Sequence, residues 1–160
     1  MKDIILKNKV TFIVWSNGIG KSTFARQFAK DNGWDYYNPI EIQHEQDRNP
    51  FNKYWKTTGI SLKDTMLQHF SSDWENYFDK LFKWTESHGN KIILDEADKW
   101  LSMQWQWNYM HFIADQVNNG KQLVVITHSY ICIKIAIDMW IYIYDMDTKT
   151  QFQKSSLPPI

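Results

Sequence analysis

The chain has 160 residues, of which 43% are hydrophobic, and it contains no repeat or low-complexity stretch, so we expect a single domain over residues 1–160. Its 18 lysines and arginines equal its 18 aspartates and glutamates, and this balance does not support nonspecific binding to nucleic acid or to anionic membranes. One cysteine excludes an internal disulfide, and we recognise neither a signal peptide nor the ~20 consecutive apolar residues of a membrane span, so a cytoplasmic protein without membrane insertion is expected.

Two short β-favouring runs open the chain, at residues 4–6 and 10–15, with a polar tripeptide between them. They predict an opening hairpin or a bent edge strand, in which the second run is a buried strand. A helix is predicted over 21–30, because its apolar side chains recur at helical spacing and Asn32-Gly33 follows. These side chains are Phe24, Ala25, Phe28 and Ala29. A phosphate-binding loop requires this order of strand, glycine-rich loop and helix.

The middle of the chain predicts a strand at 34–37 and then a long polar excursion over 38–59. One helix is expected from Ser61 to about residue 70. A second is expected from Ser72, which has capping-box spacing, to about Gly89. Its apolar face comprises Trp74, Tyr77, Phe78, Leu81 and Phe82.

The last third alternates short apolar runs with helical patterns. Strands are predicted at 91–94, 123–127 and 140–144, helices at 104–118 and 130–137, and a weak strand follows a polar turn at 145–148. The buried stripe of the first of these helices is Met110, Ile113, Ala114 and Val117. Continuous apolar strands between helices predict an α/β fold with a mostly parallel sheet covered on both faces.

A second row of aromatic side chains lies beside that stripe, at Trp105, Tyr109 and Phe112. Their spacing of i, i+4 and i+7 places them on one side of the helix. Such a row can bind a protein partner or stack on bases, or it can lie under a second layer of the domain. We favour the second layer.

The glycine-rich loop carries the strongest functional signal. Its residues are Asn17, Gly18, Ile19, Gly20, Lys21, Ser22 and Thr23. Glycines let backbone N–H groups turn towards phosphate oxygens, Lys21 reaches the β- and γ-phosphates, and the Ser22 hydroxyl ligates magnesium. The full pattern has a glycine where this chain has Trp15, and a tryptophan is tolerated there if its φ is negative.

Two further strand ends complete a predicted site for ATP and Mg²⁺. Asp95 follows the run at 92–94 and would hold magnesium through water, and the adjacent Glu96 would polarise the attacking water. His128 follows the strand at 123–127 and would hydrogen-bond the γ-phosphate or that water.

Three segments together resemble the ATP-binding-cassette ATPases of the P-loop NTPase fold. They are Asn-Gly-Ile-Gly-Lys-Ser-Thr at 17–23, Ile-Leu-Asp-Glu-Ala-Asp at 93–98 and Ile-Thr-His-Ser at 126–129. The similarity is greatest to the soluble branch, which includes chromosome-maintenance and DNA-repair ATPases and the overcoming-lysogenization-defect type. The resemblance implies that Lys21 and Ser22 bind phosphate and magnesium and that Asp95 binds magnesium through water. It also implies that Glu96 is the catalytic base and that His128 senses the γ-phosphate.

The resemblance also implies a loop glutamine at the magnesium site, and both Gln43 and Gln46 fit this role. In that family a Leu-Ser-Gly-Gly-Gln segment caps the ATP of a partner subunit. The corresponding residues here, 71–75, lack its glycines. The implied partner is a second copy bound through ATP, or an unidentified protein.

Three functions therefore remain open. The first is a magnesium-dependent ATPase whose nucleotide cycle is coupled to association with itself or with a partner. The second is a nucleoside or nucleotide kinase, since residues 20–30 followed by 33–36 also resemble the opening of those enzymes, although Arg26 and Arg48 are the only arginines available for a lid. The third is a nucleotide-binding regulator without turnover, suggested by Trp15 and the altered signature segment.

Overall fold

The computed structural model describes residues 1–16, 20–41, 73–99 and 101–157. The chain divides into two compact units, one made of Met1–Tyr37 and Gly89–Ile160 and the other of Asn38–His88. The strands are β1 (Val10–Val14), β2 (Asp35–Tyr37), β3 (Lys91–Asp95), β4 (Gln122–Thr127), β5 (Tyr142–Asp145) and β6 (Thr150–Gln151). The helices are α1 (Lys2–Lys7), α2 (Lys21–Asn32), α3 (Asp73–Ser87), α4 (Met103–Asn118) and α5 (Tyr130–Asp138), and a 3₁₀ turn covers Lys154–Ser156.

The larger unit is built on a six-stranded sheet in the order β2-β3-β4-β1-β5-β6. The first five strands in this order are parallel, and β6 pairs antiparallel with β5. Helices flank the sheet, and its inner strands β1, β3 and β4 are almost entirely buried. This burial explains why these strands read as unbroken apolar runs, and the predicted α/β class with a mostly parallel sheet is confirmed.

Helix α2 begins directly after the glycine-rich loop. Gly20 precedes it with a φ of 115°, and Gly33 ends it with a φ of 70° while its N–H donates to the Ala29 carbonyl. Residues that carry a side chain rarely adopt such positive φ values, so glycine suits both positions. The buried face of α2 packs against Ile13 of β1 and Ile93 of β3, as its helical spacing predicts.

The first predicted element is wrong, because residues 4–6 lie in helix α1 and form no hairpin with β1. Both edges of β1 are already paired, one with β4 and the other with β5, so no position remains for a hairpin partner. Ile5 instead packs into the core between α2 and the sheet, and it is 1% exposed. Tertiary burial here outweighs the β propensity of a short apolar run.

Helix α4 is buried over a wider face than its predicted stripe. Tyr109 and Phe112 are buried together with Met110 and Ile113, which contradicts a free aromatic surface at those two positions, and Trp105 is partly buried. Ala114 and Val117, which were expected in the core, are only partly buried. The helix is therefore rotated towards its aromatic side.

The smaller unit contributes helix α3 to the described residues. The helix has the predicted extent, but Phe82 is 43% exposed and so does not belong to its buried face. The predicted helix at 61–70 and most of the excursion at 38–59 lie outside the described residues. None of the described helices is long and apolar enough to cross a membrane.

Candidate functional site

Three strand ends meet at one edge of the larger unit. Strand β4 lies between β3 and β1, and the three strands are parallel, so their carboxyl ends point the same way. Their registers align Asp95 with Ile126 and Thr127 with Val14. Ligands bind at such carboxyl edges in open α/β sheets. The first turn of α2 therefore faces the acidic end of β3 and the histidine that follows β4.

Lys21, Glu96 and His128 form the first group of contacting side chains, which we call the Glu96 cluster. The Lys21 ammonium donates to Glu96 Oε1 and lies 2.6 Å from His128 Nε2, and that nitrogen is 3.0 Å from the same carboxylate oxygen. The side chains of Lys21 and Glu96 are 12% and 18% exposed. Partial burial reduces solvent screening, so this ion pair is stronger than one on the open surface.

The protonation of His128 follows from its surroundings. Burial lowers the pKa of its imidazole below 6.5, and the nearby Lys21 charge lowers this pKa further, while the carboxylates of Glu96, Asp95 and Asp147 oppose the shift. The lowered pKa therefore favours the neutral form of the imidazole. When Nε2 accepts a hydrogen bond from Lys21, the ring proton lies on Nδ1.

Ser22, Tyr36 and Asp95 form the second group, the Asp95 cluster. The Ser22 hydroxyl donates to Asp95 Oδ2 at 3.1 Å, and the Tyr36 hydroxyl donates to the same oxygen. Asp95 is fully buried at the end of β3. Two neighbouring hydroxyl donors therefore hold this carboxylate in place.

The donor atoms of the Asp95 cluster fit magnesium. A serine hydroxyl and a carboxylate are hard oxygen ligands, and Mg²⁺ in phosphate sites usually takes only one or two protein ligands beside water and phosphate oxygens. Across the described ranges, no group of three or more His, Cys, Asp or Glu side chains is arranged to hold a metal ion. A magnesium ion held by Ser22 and Asp95 would need further oxygen ligands, such as water or phosphate.

The backbone at Glu96 is unusual, because its φ of 51° lies in the left-handed region that non-glycine residues rarely adopt. Its N–H donates to the Ile126 carbonyl at 3.0 Å, and its own carbonyl accepts from the Lys99 N–H at 3.0 Å. These bonds hold a strained turn, and such strain is concentrated at functional sites. The turn directs the Glu96 side chain towards Lys21.

A buried hydrogen bond connects the turn after β3 with the end of β4. Thr127 Oγ1 donates to Asp98 Oδ2 at 2.7 Å, and burial raises the pKa of the Asp98 carboxyl. The same Thr127 oxygen accepts the Ser129 N–H at 2.9 Å, and the Ser129 hydroxyl caps α5. His128 is thus fixed between two residues that are themselves hydrogen-bonded.

Ser16, which precedes the glycine-rich loop, is hydrogen-bonded to Asp147, which follows β5. Its Oδ1 accepts the Ser16 hydroxyl at 2.9 Å and its Oδ2 accepts the Ser16 N–H at 3.1 Å. The Trp15 ring packs against the Phe24 ring of α2, and the two ring centroids are 6.0 Å apart. Trp15 is not among the described residues with positive φ, so tryptophan is tolerated at this position.

The structure thus brings together Lys21, Ser22, Asp95, Glu96 and His128, and it places Gly20 and the exposed Thr23 at the start of α2. Of the other candidates, Asn17, Gly18, Ile19, Gln43, Gln46 and the first residues of the signature segment, 71–72, lie outside the described residues.

Tyr36 and Asp147 were missed in the sequence. Neither belongs to a motif, and each reaches the site through strand pairing. The sequence feature that could have identified them is a polar side chain near the carboxyl end of a strand that pairs with a strand of the site. Tyr36 carries it once β2 is paired with β3.

Comparison of the chain with protein-family models, with curated proteins and with solved structures gave no match.

Proposed function

We propose that the protein is a cytoplasmic P-loop ATPase that hydrolyses ATP with magnesium and is similar to the soluble ATP-binding-cassette ATPases. One observation carries the proposal: Lys21, Glu96 and His128 meet within hydrogen-bonding distance directly beside the Ser22–Asp95 pair. A cation for phosphate, a carboxylate for water and oxygen ligands for magnesium are the groups that phosphoryl transfer to water requires.

Phosphate binding is assigned to the first turn of α2. The start of this 12-residue helix presents backbone N–H groups and the positive end of the helix dipole, which favour an anion. Lys21 adds a full positive charge at the same place. Ser22 and Asp95 would hold Mg²⁺, which when bound neutralises charge on the β- and γ-phosphates.

Hydrolysis requires Lys21 to change partners. A triphosphate competes with Glu96 for the Lys21 ammonium, and the released carboxylate then accepts a hydrogen bond from water. As the water oxygen bonds to the γ-phosphorus, the bond from this phosphorus to the bridging oxygen of ADP breaks and Glu96 takes a proton from the water. The products are ADP and inorganic phosphate.

His128 is assigned to the γ-phosphate. The lowered pKa favours the neutral imidazole, whose one N–H can donate to a phosphate oxygen once the ring turns away from Lys21. Because β4 lies between β1 and β3, this histidine sits between the phosphate-binding residue and the base. A contact that forms only while the γ-phosphate is present can then distinguish ATP from ADP.

The kinase alternative needs an arginine over the phosphates. The Arg26 guanidinium lies over the Tyr36 ring, 5.9 Å from its centroid, and Arg48 is outside the described residues. Nothing in the described ranges favours a lid of this kind. His128, by contrast, has a role in the proposed hydrolysis and none in the kinase alternative.

The test follows the γ-phosphate of radiolabelled ATP incubated with the purified protein and magnesium, with and without added nucleosides and nucleotides. We expect release of free phosphate by the wild type, its loss in Glu96→Gln, and its retention in the matched control Glu86→Gln, whose side chain is exposed on α3. Label on an acceptor would instead establish a kinase. Nucleotide binding without any turnover in the wild type would establish a regulator.

The proposed coupling to self-association has its own test. The Glu96→Gln variant should retain ATP and so accumulate the associated form, which light scattering detects as a doubled mass. Glu86→Gln under the same conditions serves as control. A monomer in ATP and magnesium for every variant would contradict homodimerisation and leave an unidentified protein as the partner.

A further inference from the structure

Tyr36 reaches the site from the edge strand β2. It pairs with Ile93 of β3, and side chains alternate along a strand, so Tyr36 lies on the same face of the sheet as Ile93 and Asp95. Its hydroxyl donates to Asp95 Oδ2, the oxygen that also accepts from Ser22. The tyrosine thus contacts the one carboxylate assigned to magnesium.

The Tyr36 ring makes two further contacts. It packs against the core cluster that includes Phe28 and Trp34, and the Arg26 guanidinium lies over it at 5.9 Å from the centroid. A ring fixed in this way keeps its hydroxyl in one position. The hydrogen bond to Asp95 therefore constrains the carboxylate plane and does not simply follow it.

We infer that Tyr36 is a positioning residue that orients Asp95 for a magnesium ion carried in with the nucleotide. This inference rests on the proposed function. The carboxylate plane of an aspartate can rotate about its Cβ–Cγ bond and so turn away from a cation. A hydrogen bond from a neighbouring residue that does not itself bind the metal prevents this rotation. Loss of such an outer contact at a metal site costs about 10- to 100-fold in metal affinity.

The variant that isolates the hydroxyl is Tyr36→Phe, which keeps the ring and its packing. Tyr142→Phe is the matched control, since Tyr142 lies on β5 away from both clusters and is partly exposed. Both are made in the Glu96→Gln background, so that ATP is not consumed. Binding of Mn²⁺ in the presence of ATP is followed by the loss of its free electron paramagnetic resonance signal, and ATP binding in EDTA is measured separately.

We expect Tyr36→Phe to weaken Mn²⁺ binding by about 10-fold and to leave ATP binding in EDTA unchanged. With Glu96 restored, its hydrolysis should return to the wild-type kcat at high magnesium concentration. A purely structural role would instead lower ATP binding in EDTA, or would lower kcat at every magnesium concentration.

Equal Mn²⁺ affinity in Tyr36→Phe and Tyr142→Phe would overturn the inference while leaving the proposed ATPase intact. If the wild-type protein neither binds Mn²⁺-ATP nor hydrolyses ATP, the proposed function is overturned, and the inference with it. The wild-type protein therefore distinguishes the two failures, because it binds Mn²⁺-ATP and hydrolyses ATP in the first case and does neither in the second.

Discussion

Two neighbouring carboxylates at the end of β3 are held in opposite ways. Asp95 is fully buried and accepts hydrogen bonds from the hydroxyls of Ser22 and Tyr36, whereas Glu96 is 18% exposed and pairs with the Lys21 ammonium. Hydroxyl groups orient a carboxylate without cancelling its charge, whereas an ammonium ion cancels it. Under the proposed function, the Asp95 cluster can take up a cation directly, whereas the Glu96 cluster must first lose its own cation to an anionic ligand.

The largest expected effect comes from removing that cation. Lys21→Ala takes away the main positive charge for phosphate, and we expect nucleotide affinity to fall about 100-fold, which is about 3 kcal/mol. Titration with a fluorescent ATP analogue measures it. Lys30→Ala, in the last turn of the same helix and exposed, should bind like the wild type. Equal affinity in the two variants would remove Lys21 from the binding site.

Ser22→Ala breaks the other cluster and should leave the Glu96 cluster unchanged. It removes one proposed magnesium ligand and one hydrogen-bond donor to Asp95, so we expect the magnesium concentration for half-maximal hydrolysis to rise about 10-fold. The magnesium dependence of phosphate release provides the measurement. Ser102→Ala, at an exposed residue before α4, is the control. An unchanged magnesium dependence would argue that the Ser22 hydroxyl is not a ligand.

Asp147→Ala tests whether both clusters depend on the entry to the loop. The change frees the Ser16 N–H and hydroxyl from their acceptor, and because this contact is exposed we expect KM for ATP to rise only about 3-fold. Steady-state kinetics should show kcat within about 2-fold of wild type. The exposed Asp138→Ala is the control for lost charge. A large fall in kcat would show that Asp147 acts on the reacting groups.

The smallest effect is a change in the pH dependence of stability. Since the pKa of His128 is below 6.5 in the folded protein, the unfolded chain binds this proton more tightly. The free energy of unfolding should therefore fall as the pH drops from 6.5 through the folded pKa. Urea denaturation at several pH values should show a shallower fall for His128→Asn than for the exposed control His111→Asn. Identical slopes would contradict a depressed pKa.

The sequence predicted most of the elements because the inner strands and the helical stripes carry strong periodic signals. Strands β1, β3 and β4 and helix α2 were located from apolar runs and glycine stops alone. Lys21 and Asp95 also lie where the parallel order of the strands requires, as does His128. A local sequence pattern was sufficient to predict an element wherever its buried residues recur at regular spacing.

The errors and omissions have one physical cause, which is contact between distant segments. Residues 4–6 became a helix because both edges of β1 are occupied, and Tyr36 reaches Asp95 only through the pairing of β2 with β3. Likewise, Tyr109 of α4 is buried although it lies beside the predicted stripe. None of these contacts leaves a periodic signal in its own segment.

The pairing of β1 also has a consequence for how the protein is made. Both neighbours of this strand, β4 and β5, come from the last third of the chain, and Ser16 bonds to a residue 131 positions later. During synthesis this apolar strand therefore stays unpaired until residues 122–145 have left the ribosome. Such non-local pairing slows folding and exposes a segment that aggregates easily. Chaperones that bind extended apolar segments would have their longest opportunity at residues 10–14.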